Sequence, residues 1–278
     1  MKKEIQNAFL VANAKLETHN KVVCSLSGGS DSDIVLDIMS KLDKDGKCSY
    51  VNFNTGLEYE ATKRHLDELE EKYGITIHRV PPIKPIPAVC KNYGQPFWSK
   101  YVAEMIGRLQ KHGFNWIDEP YEDLLLKYPR CQQGLKWWCN ANPQKKSGRE
   151  SSFNIGYVKF LKEFMIENPP WFPISSMCCD YAKKRPAHKF KSESKCDLDC
   201  VGVRKYEGGV RSTAYANCFT PGDQFDEFRP IFWFTSEDKE TYKEHYGMVS
   251  HTVIVMRFGA WSARGVPGVL LENDLRKN

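Results

Sequence analysis

Lys21-Val22-Val23-Cys24-Ser25-Leu26-Ser27-Gly28-Gly29-Ser30-Asp31-Ser32 is the stretch whose reading decides the fold. Its first half is a short apolar run, the shape of a parallel strand buried on both faces. Its second half is a tight turn with two glycines. Ser32 to Leu42 then places Ile34, Val35, Ile38 and Met39 on one helical face. Working outward, Ile5 to His19 reads as an opening helix. Ser49 to Asn54 is a second strand closed by Thr55-Gly56, Tyr59 to Tyr73 a charged helix, and Ile75 to Val80 a third strand. This alternation implies a parallel sheet covered by helices, an α/β three-layer sandwich of the Rossmann-like kind.

Further along, Pro81 to Pro87 is a proline-rich connection and Pro96 to Lys111 looks helical. Residues 114–150, with Trp137-Trp138 among several lysines and glutamines, suggest an inserted helical lobe. Tyr157 to Glu167 reads as a helix halted by Pro169-Pro170. Cys200 to Arg204 returns to the sheet, and Ser236 to Tyr246 is a last helix. The domain reading is therefore one nucleotide-binding domain over 1–247 with the lobe inserted at 114–150, followed by a divergent tail over 248–278.

Composition narrows the class. With 278 residues, 41% hydrophobic and 27% charged, the chain reads as an ordinary globular protein. No apolar run approaches the roughly 18 residues of a membrane span, and no signal-peptide core follows Met1-Lys2-Lys3-Glu4, so a cytoplasmic protein without a membrane partner is expected. A net charge of +5 suits an anionic small molecule better than a dedicated nucleic-acid binder. Ten cysteines are many for a reducing compartment; Cys178, Cys179, Cys196, Cys200 and Cys218 crowd together.

A strand, a glycine turn and a helix start converge backbone N–H groups on one point and add the helix's positive end, which suits a phosphate. Ser25, Ser27, Ser30 and Ser32 can contribute hydroxyls, and Gly28 and Gly29 permit close approach. Asp31 is odd beside phosphates unless it caps the helix or helps to hold Mg2+. The bland alternative is a serine-rich helix cap. The loop's place at the C-terminal end of the first strand, where open α/β sheets bind ligands, favours the functional reading.

With these residues in view, a family resemblance appears. Ser27 to Ser32 is similar to the pyrophosphate (PP) loop of the adenine nucleotide α-hydrolase-like superfamily. Asn52-Phe53-Asn54-Thr55-Gly56-Leu57-Glu58-Tyr59 resembles its phosphoadenosine phosphosulfate (PAPS) reductase branch. The resemblance implies that Phe53, Asn54, Thr55 and Gly56 contact adenine or ribose. Tyr93-Gly94-Gln95-Pro96 with Ser99-Lys100 also resembles the family, with Lys100 reaching a phosphate. Gly202-Val203-Arg204-Lys205-Tyr206-Glu207-Gly208-Gly209-Val210-Arg211-Ser212 is similar to its anion-contacting segment. Arg204 and Arg211 are its candidate contacts, since guanidinium groups bind phosphate or sulfate oxygens bidentately.

In some relatives a pair like Cys178-Cys179 joins a distant C-x-x-C to hold a [4Fe-4S] cluster, whose ligands are thiolates. This chain has no C-x-x-C, so these two residues read equally as ligands or as buried thiols. Relatives would continue past Tyr246-Gly247 with a cysteine-bearing segment; here Gly265-Val266-Pro267-Gly268-Val269 stands instead. A one-base slip exchanges valine and cysteine codons, so the tail reads as translated out of frame, with genuine divergence as the alternative.

The expected function is that of a PAPS reductase-family enzyme binding ATP or phosphoadenylyl sulfate. Its reaction would be sulfonucleotide reduction, with a thiol-redox partner, or adenylation-linked sulfur transfer, with a nucleic acid as one acceptor. The family's reduction uses a cysteine near the C-terminus, and none follows Cys218 in this sequence. No catalytic residue is assigned. The rival is a non-catalytic nucleotide- or DNA-associated module of prophage origin, using Lys136-Trp137-Trp138 and Lys145-Lys146.

Overall fold

The computed structural model describes residues 2–143, 148, 150–207 and 214–248. Lys145-Lys146, Arg211 and the tail from 249, with Val266 and Val269, lie outside the described residues.

One six-stranded sheet organises the chain. Its strands are β1 (Val22–Ser25), β2 (Cys48–Phe53), β3 (Ile77–Val80), β4 (Leu198–Val201), β5 (Phe219–Thr220) and β6 (Asp226–Phe228), in the order β3-β2-β1-β4-β6-β5. All neighbours are parallel except β5 and β6. The expected α/β sandwich is present, with a short antiparallel pair at one edge.

Two-residue periodicity divides the strands between two cores. Val22, Cys24, Tyr50, Leu198 and Cys200 face a large cluster with α1 (Lys3–Thr18), α2 (Ser30–Leu42), α3 (Glu60–Tyr73) and the last helix. Val23, Val51 and Phe53 face the other way, against Cys196, Phe190 and Phe225. Cys24, Cys196 and Cys200 are thus core residues; burial pushes the Cys196 thiol up to about 11.

Between β3 and β4 runs a helical excursion: α4 (Ile86–Tyr93), α5 (Lys100–Lys111), α6 (Tyr121–Lys127), α7 (Gln132–Trp138) and α8 (Leu161–Glu167). Its core runs from Val102 to Ile174, wider than the 114–150 that composition suggested. Trp137 and Trp138 are 1% and 0% exposed, and the Trp138 indole N–H donates to the Ile117 carbonyl at 2.9 Å. Their burial removes them from any nucleic-acid surface, so that part of the rival reading is corrected. The structure then enters α9 (Arg185–Glu193) through Met177–Cys179 and a π-helical turn, Asp180–Lys184, and ends on α10 (Ser236–Tyr246).

Prolines hid two of these helices. Pro87 in α4 and Pro186 in α9 sit in the first turn, where the missing N–H costs nothing. Conversely, the helix expected from Pro96 begins only at Lys100, because Trp98 takes a left-handed φ of 54° and Ser99 caps the start, accepting from Val102 N–H at 3.2 Å. No helix among the described residues is long and apolar enough to cross a membrane.

Candidate nucleotide site

Strand order reverses direction of travel at β1, whose neighbours are β2 and β4. The C-terminal ends of β1 and β4 flank that reversal, the place where open parallel sheets bind ligands. The loop Ser27 to Ser32 fills the first exit and Gly202-Val203-Arg204 the second.

The loop is held by its own hydroxyl network. Ser32 Oγ donates to the Gly29 carbonyl at 2.7 Å and accepts from the Ser27 and Gly29 N–H groups at 3.3 and 3.2 Å. Ser27 Oγ lies 3.2 Å from Ser32 Oγ. Ser32 is thus buried structural support, while Ser30 Oγ is buried with no partner. Gly28 takes φ +71°, and a Cβ there would stand 2.8 Å from Thr62 Cγ2 on α3. Its lack of a side chain lets the turn lie against α3.

Gly202 performs the matching service from β4. A Cβ there would fall 3.0 Å from Asp31 C and Ser32 N, so this strand exit presses directly on the first turn of α2. That approach carries Arg204 to the loop. Its Nε donates to Asp31 Oδ2 at 3.1 Å, and Lys239 Nζ from α10 sits 2.7 Å from Asp31 Oδ1. Both carboxylate oxygens face cations, a setting that repels a further cation. Asp31 therefore does not fit as a magnesium ligand.

The second motif adjoins. Asn52 Nδ2 donates to the Leu26 carbonyl at 2.8 Å, tying the ends of β1 and β2; sequence reading had not singled it out as a site residue. Asn54 Oδ1 accepts from Gly56 N–H at 2.7 Å, an Asx turn, and Glu58 accepts from both the N–H and hydroxyl of Thr55 at 2.9 Å. Phe53 packs edge-on against Phe190, with ring centroids 6.4 Å apart. Its ring is thus held by the α9 side of the sheet, and the backbone of 54–56 forms the turn.

Below the loop, Ser25 Oγ lies 3.5 Å from Asp199 Oδ1, and Lys191 of α9 pairs with Asp199 Oδ2. Burial pushes the Asp199 carboxyl up; the Lys191 ammonium opposes that shift. On α2, Asp33 Oδ2 meets His65 Nε2 at 2.9 Å, and this hydrogen bond raises the His65 pKa above 6.5. The pair's stabilisation is complete below that unfolded value and is lost as pH rises through the elevated folded value. Wild type is therefore expected to lose its thermal-stability advantage over His65→Gln as pH climbs above 6.5; parallel melting-temperature curves would contradict this.

Lys100 is exposed on the first turn of α5, whose buried face belongs to the excursion's own core. The Tyr93 to Pro96 segment instead latches onto the strand-like stretch before Cys178: Gln95 N–H donates to Pro173 O at 2.8 Å, and Ser175 N–H to Gln95 O at 3.0 Å. Cys178 and Cys179 stand half-buried at the start of the π-turn. Burial, then its neighbour Cys179, pushes the Cys178 thiol up to about 11, which keeps it protonated near neutrality. A four-iron cluster needs four thiolates. No group of three or more metal-ligating side chains occurs among the described residues.

An α/β sandwich with a glycine-rich loop at the C-terminal end of β1 is the class that this fold defines. Residues 21–112 match the family model of the phosphoadenosine phosphosulfate reductase domain. No curated protein matches the chain in sequence. Among solved structures it is similar to phosphoadenylyl-sulfate (PAPS) reductase from Candida auris in a phosphate complex. That likeness has 11% identity and a TM-score of 0.48, covering 89% of this chain and 83% of that one.

Proposed function

We propose that this chain is an enzyme that binds ATP or phosphoadenylyl sulfate, with the nucleotide's phosphates on the loop Ser27 to Ser32. The observation that carries the reading is the convergence of that loop, the start of α2 and the 91%-buried Arg204 at the C-terminal ends of β1 and β4. Loop N–H groups and the helix end stabilise phosphate oxygens, and stabilise a leaving pyrophosphate most as its charge develops. The turn Asn54 to Gly56, one strand away, is the proposed rest for adenine or ribose. Arg211 is a proposed further anion contact, and Lys100 a peripheral one.

Of the two chemistries, adenylation fits the described residues better. An acceptor oxygen or sulfur would attack the α-phosphorus, forming a new bond there as the bond to pyrophosphate breaks. Reduction to sulfite requires a nucleophilic thiolate, and the raised pKa of Cys178 argues against that residue in the role. Magnesium accompanying ATP would screen the phosphates, arriving with the nucleotide rather than on Asp31.

The test is calorimetric binding of ATP and of phosphoadenylyl sulfate. It is followed by assay of pyrophosphate release from ATP and of sulfite from the sulfonucleotide with a reduced dithiol donor. Binding with pyrophosphate release is expected. Sulfite formation would reverse the order of the two chemistries. Salt-sensitive DNA binding with no nucleotide affinity would support the rival module. Cys178→Ser is expected to leave ATP affinity within about twofold of wild type, below the roughly tenfold that 1.4 kcal/mol represents.

A further inference from the structure

The charges around Asp31 do not balance. One carboxylate faces two permanent cations, Arg204 at 3.1 Å and Lys239 at 2.7 Å. Their side chains are only 11%, 17% and 18% exposed for Arg204, Lys239 and Asp31, so water replaces little of what is missing. A guanidinium has five N–H donors and an ammonium three. Asp31 Oδ2 accepts one from Arg204 and its Oδ1 meets the Lys239 ammonium as an ion pair without a hydrogen bond, while Arg204 Nη1 is buried without a partner. Ser30 Oγ, on the same first turn of α2, is also buried without a partner. A surplus of positive charge and an unpartnered guanidinium nitrogen, fixed beside a helix N-terminus, make a seat for an anion.

We infer that Lys239, on α10, is a second cation of the nucleotide site, and that Lys239 and Arg204, held in place by Asp31, seat an anionic phosphate or sulfate group of the substrate. Asp31 acts as a positioning residue: its two oxygens set both cations at fixed places while leaving one net positive charge. This inference rests on the proposed nucleotide reading and deepens it by naming a residue that no sequence motif marks. Lys239 lies 208 positions from Asp31 and arrives through the packing of α10 on α2. The seat would discriminate by charge: ligands with more phosphate oxygens gain most from it, and an uncharged nucleoside gains nothing.

The experiment measures binding of ATP, AMP and adenosine to wild type, Lys239→Met and Lys239→Arg, with melting temperatures recorded for each. Lys239→Met should weaken ATP binding roughly tenfold or more, the usual weight of a charge-assisted contact, and leave adenosine unchanged. Lys239→Arg should recover most of the ATP affinity, which a purely structural lysine–aspartate contact does not require. Unchanged ATP affinity in Lys239→Met, or equal losses for ATP and adenosine, would overturn the inference while leaving the nucleotide reading intact. Wild-type protein that binds none of the three ligands would overturn both. If Lys239→Met does not fold, the Lys239→Gln variant reads the same ratio of ATP to adenosine affinity, and an unchanged ratio there overturns the inference.

Discussion

Gly28→Val is expected to abolish measurable nucleotide binding while leaving a folded protein. Gly28 sits at φ +71°, where a residue with a Cβ is strained by about 1–2 kcal/mol and a β-branched one by more. Its Cβ would also stand 2.8 Å from Thr62 Cγ2, with Leu66 carbons 3.8 Å away behind it. Thr62 and Leu66 are buried on α3, so the loop must yield rather than the helix. A shift near 1 Å removes the convergence of N–H groups that defines the site, and misplacements of that size cost about a hundredfold in function. Gly46→Val is the internal control. Gly46 has φ +66° but no atom within 4 Å of its would-be Cβ, and it lies in the turn before β2, at the opposite end of the sheet from the phosphate loop. It carries the same backbone strain without the clash. Calorimetry with ATP should therefore show loss in Gly28→Val and wild-type affinity in Gly46→Val; equal affinities in the two variants would refute the role given to the loop.

Asp37→Leu is expected to destabilise the domain by about 3–5 kcal/mol, the usual cost of removing one partner from a buried charged network. Asp37 is 3% exposed on α2 and accepts from Tyr242 at 2.6 Å, Tyr73 at 2.8 Å and Lys41 at 2.6 Å. It thereby pins α3 and α10 to the helix that carries the phosphate loop. Burial and the bond to Asp37 push both tyrosine hydroxyls up, so both stay protonated donors throughout the range in which the protein is handled. Truncation leaves the Tyr242 hydroxyl orphaned in a fully buried position. For a domain of this size the melting temperature should fall by on the order of 10 °C. Because α10 also bears Lys239, ATP affinity should drop alongside stability. A fall under about 2 °C, one ordinary surface substitution's worth, would contradict the account.

Much of this architecture could be read before any coordinates. Lys21 to Leu26, Ser49 to Asn54 and Ile75 to Val80 are runs of strand length, and the strands lie within one or two residues of each. The glycine-rich turn was legible because its ingredients are local: two glycines, hydroxyls, and a strand and a helix either side. What escaped was whatever depends on contacts between distant segments. Asp31 looked like a cap or metal ligand because its partners, Arg204 and Lys239, lie far along the chain. Trp137-Trp138 beside Lys136 read as a lobe packing its tryptophans, with a nucleic-acid surface as the rival. Only the packing of α5 against α7 shows that both rings point inward. Helices α4 and α9 were masked by proline, which punctuates a sequence the same way whether it ends one helix or begins the next.

The central claim is that nucleotide phosphates rest on Ser27 to Ser32, and amide hydrogen exchange tests it at residue-level location. On adding saturating ATP, peptides covering residues 26–34 should gain protection, with a second protected region at 53–57 and none in α6 to α8. Protection confined to the helical excursion, or bound ATP with unchanged exchange across 26–34, would contradict the account.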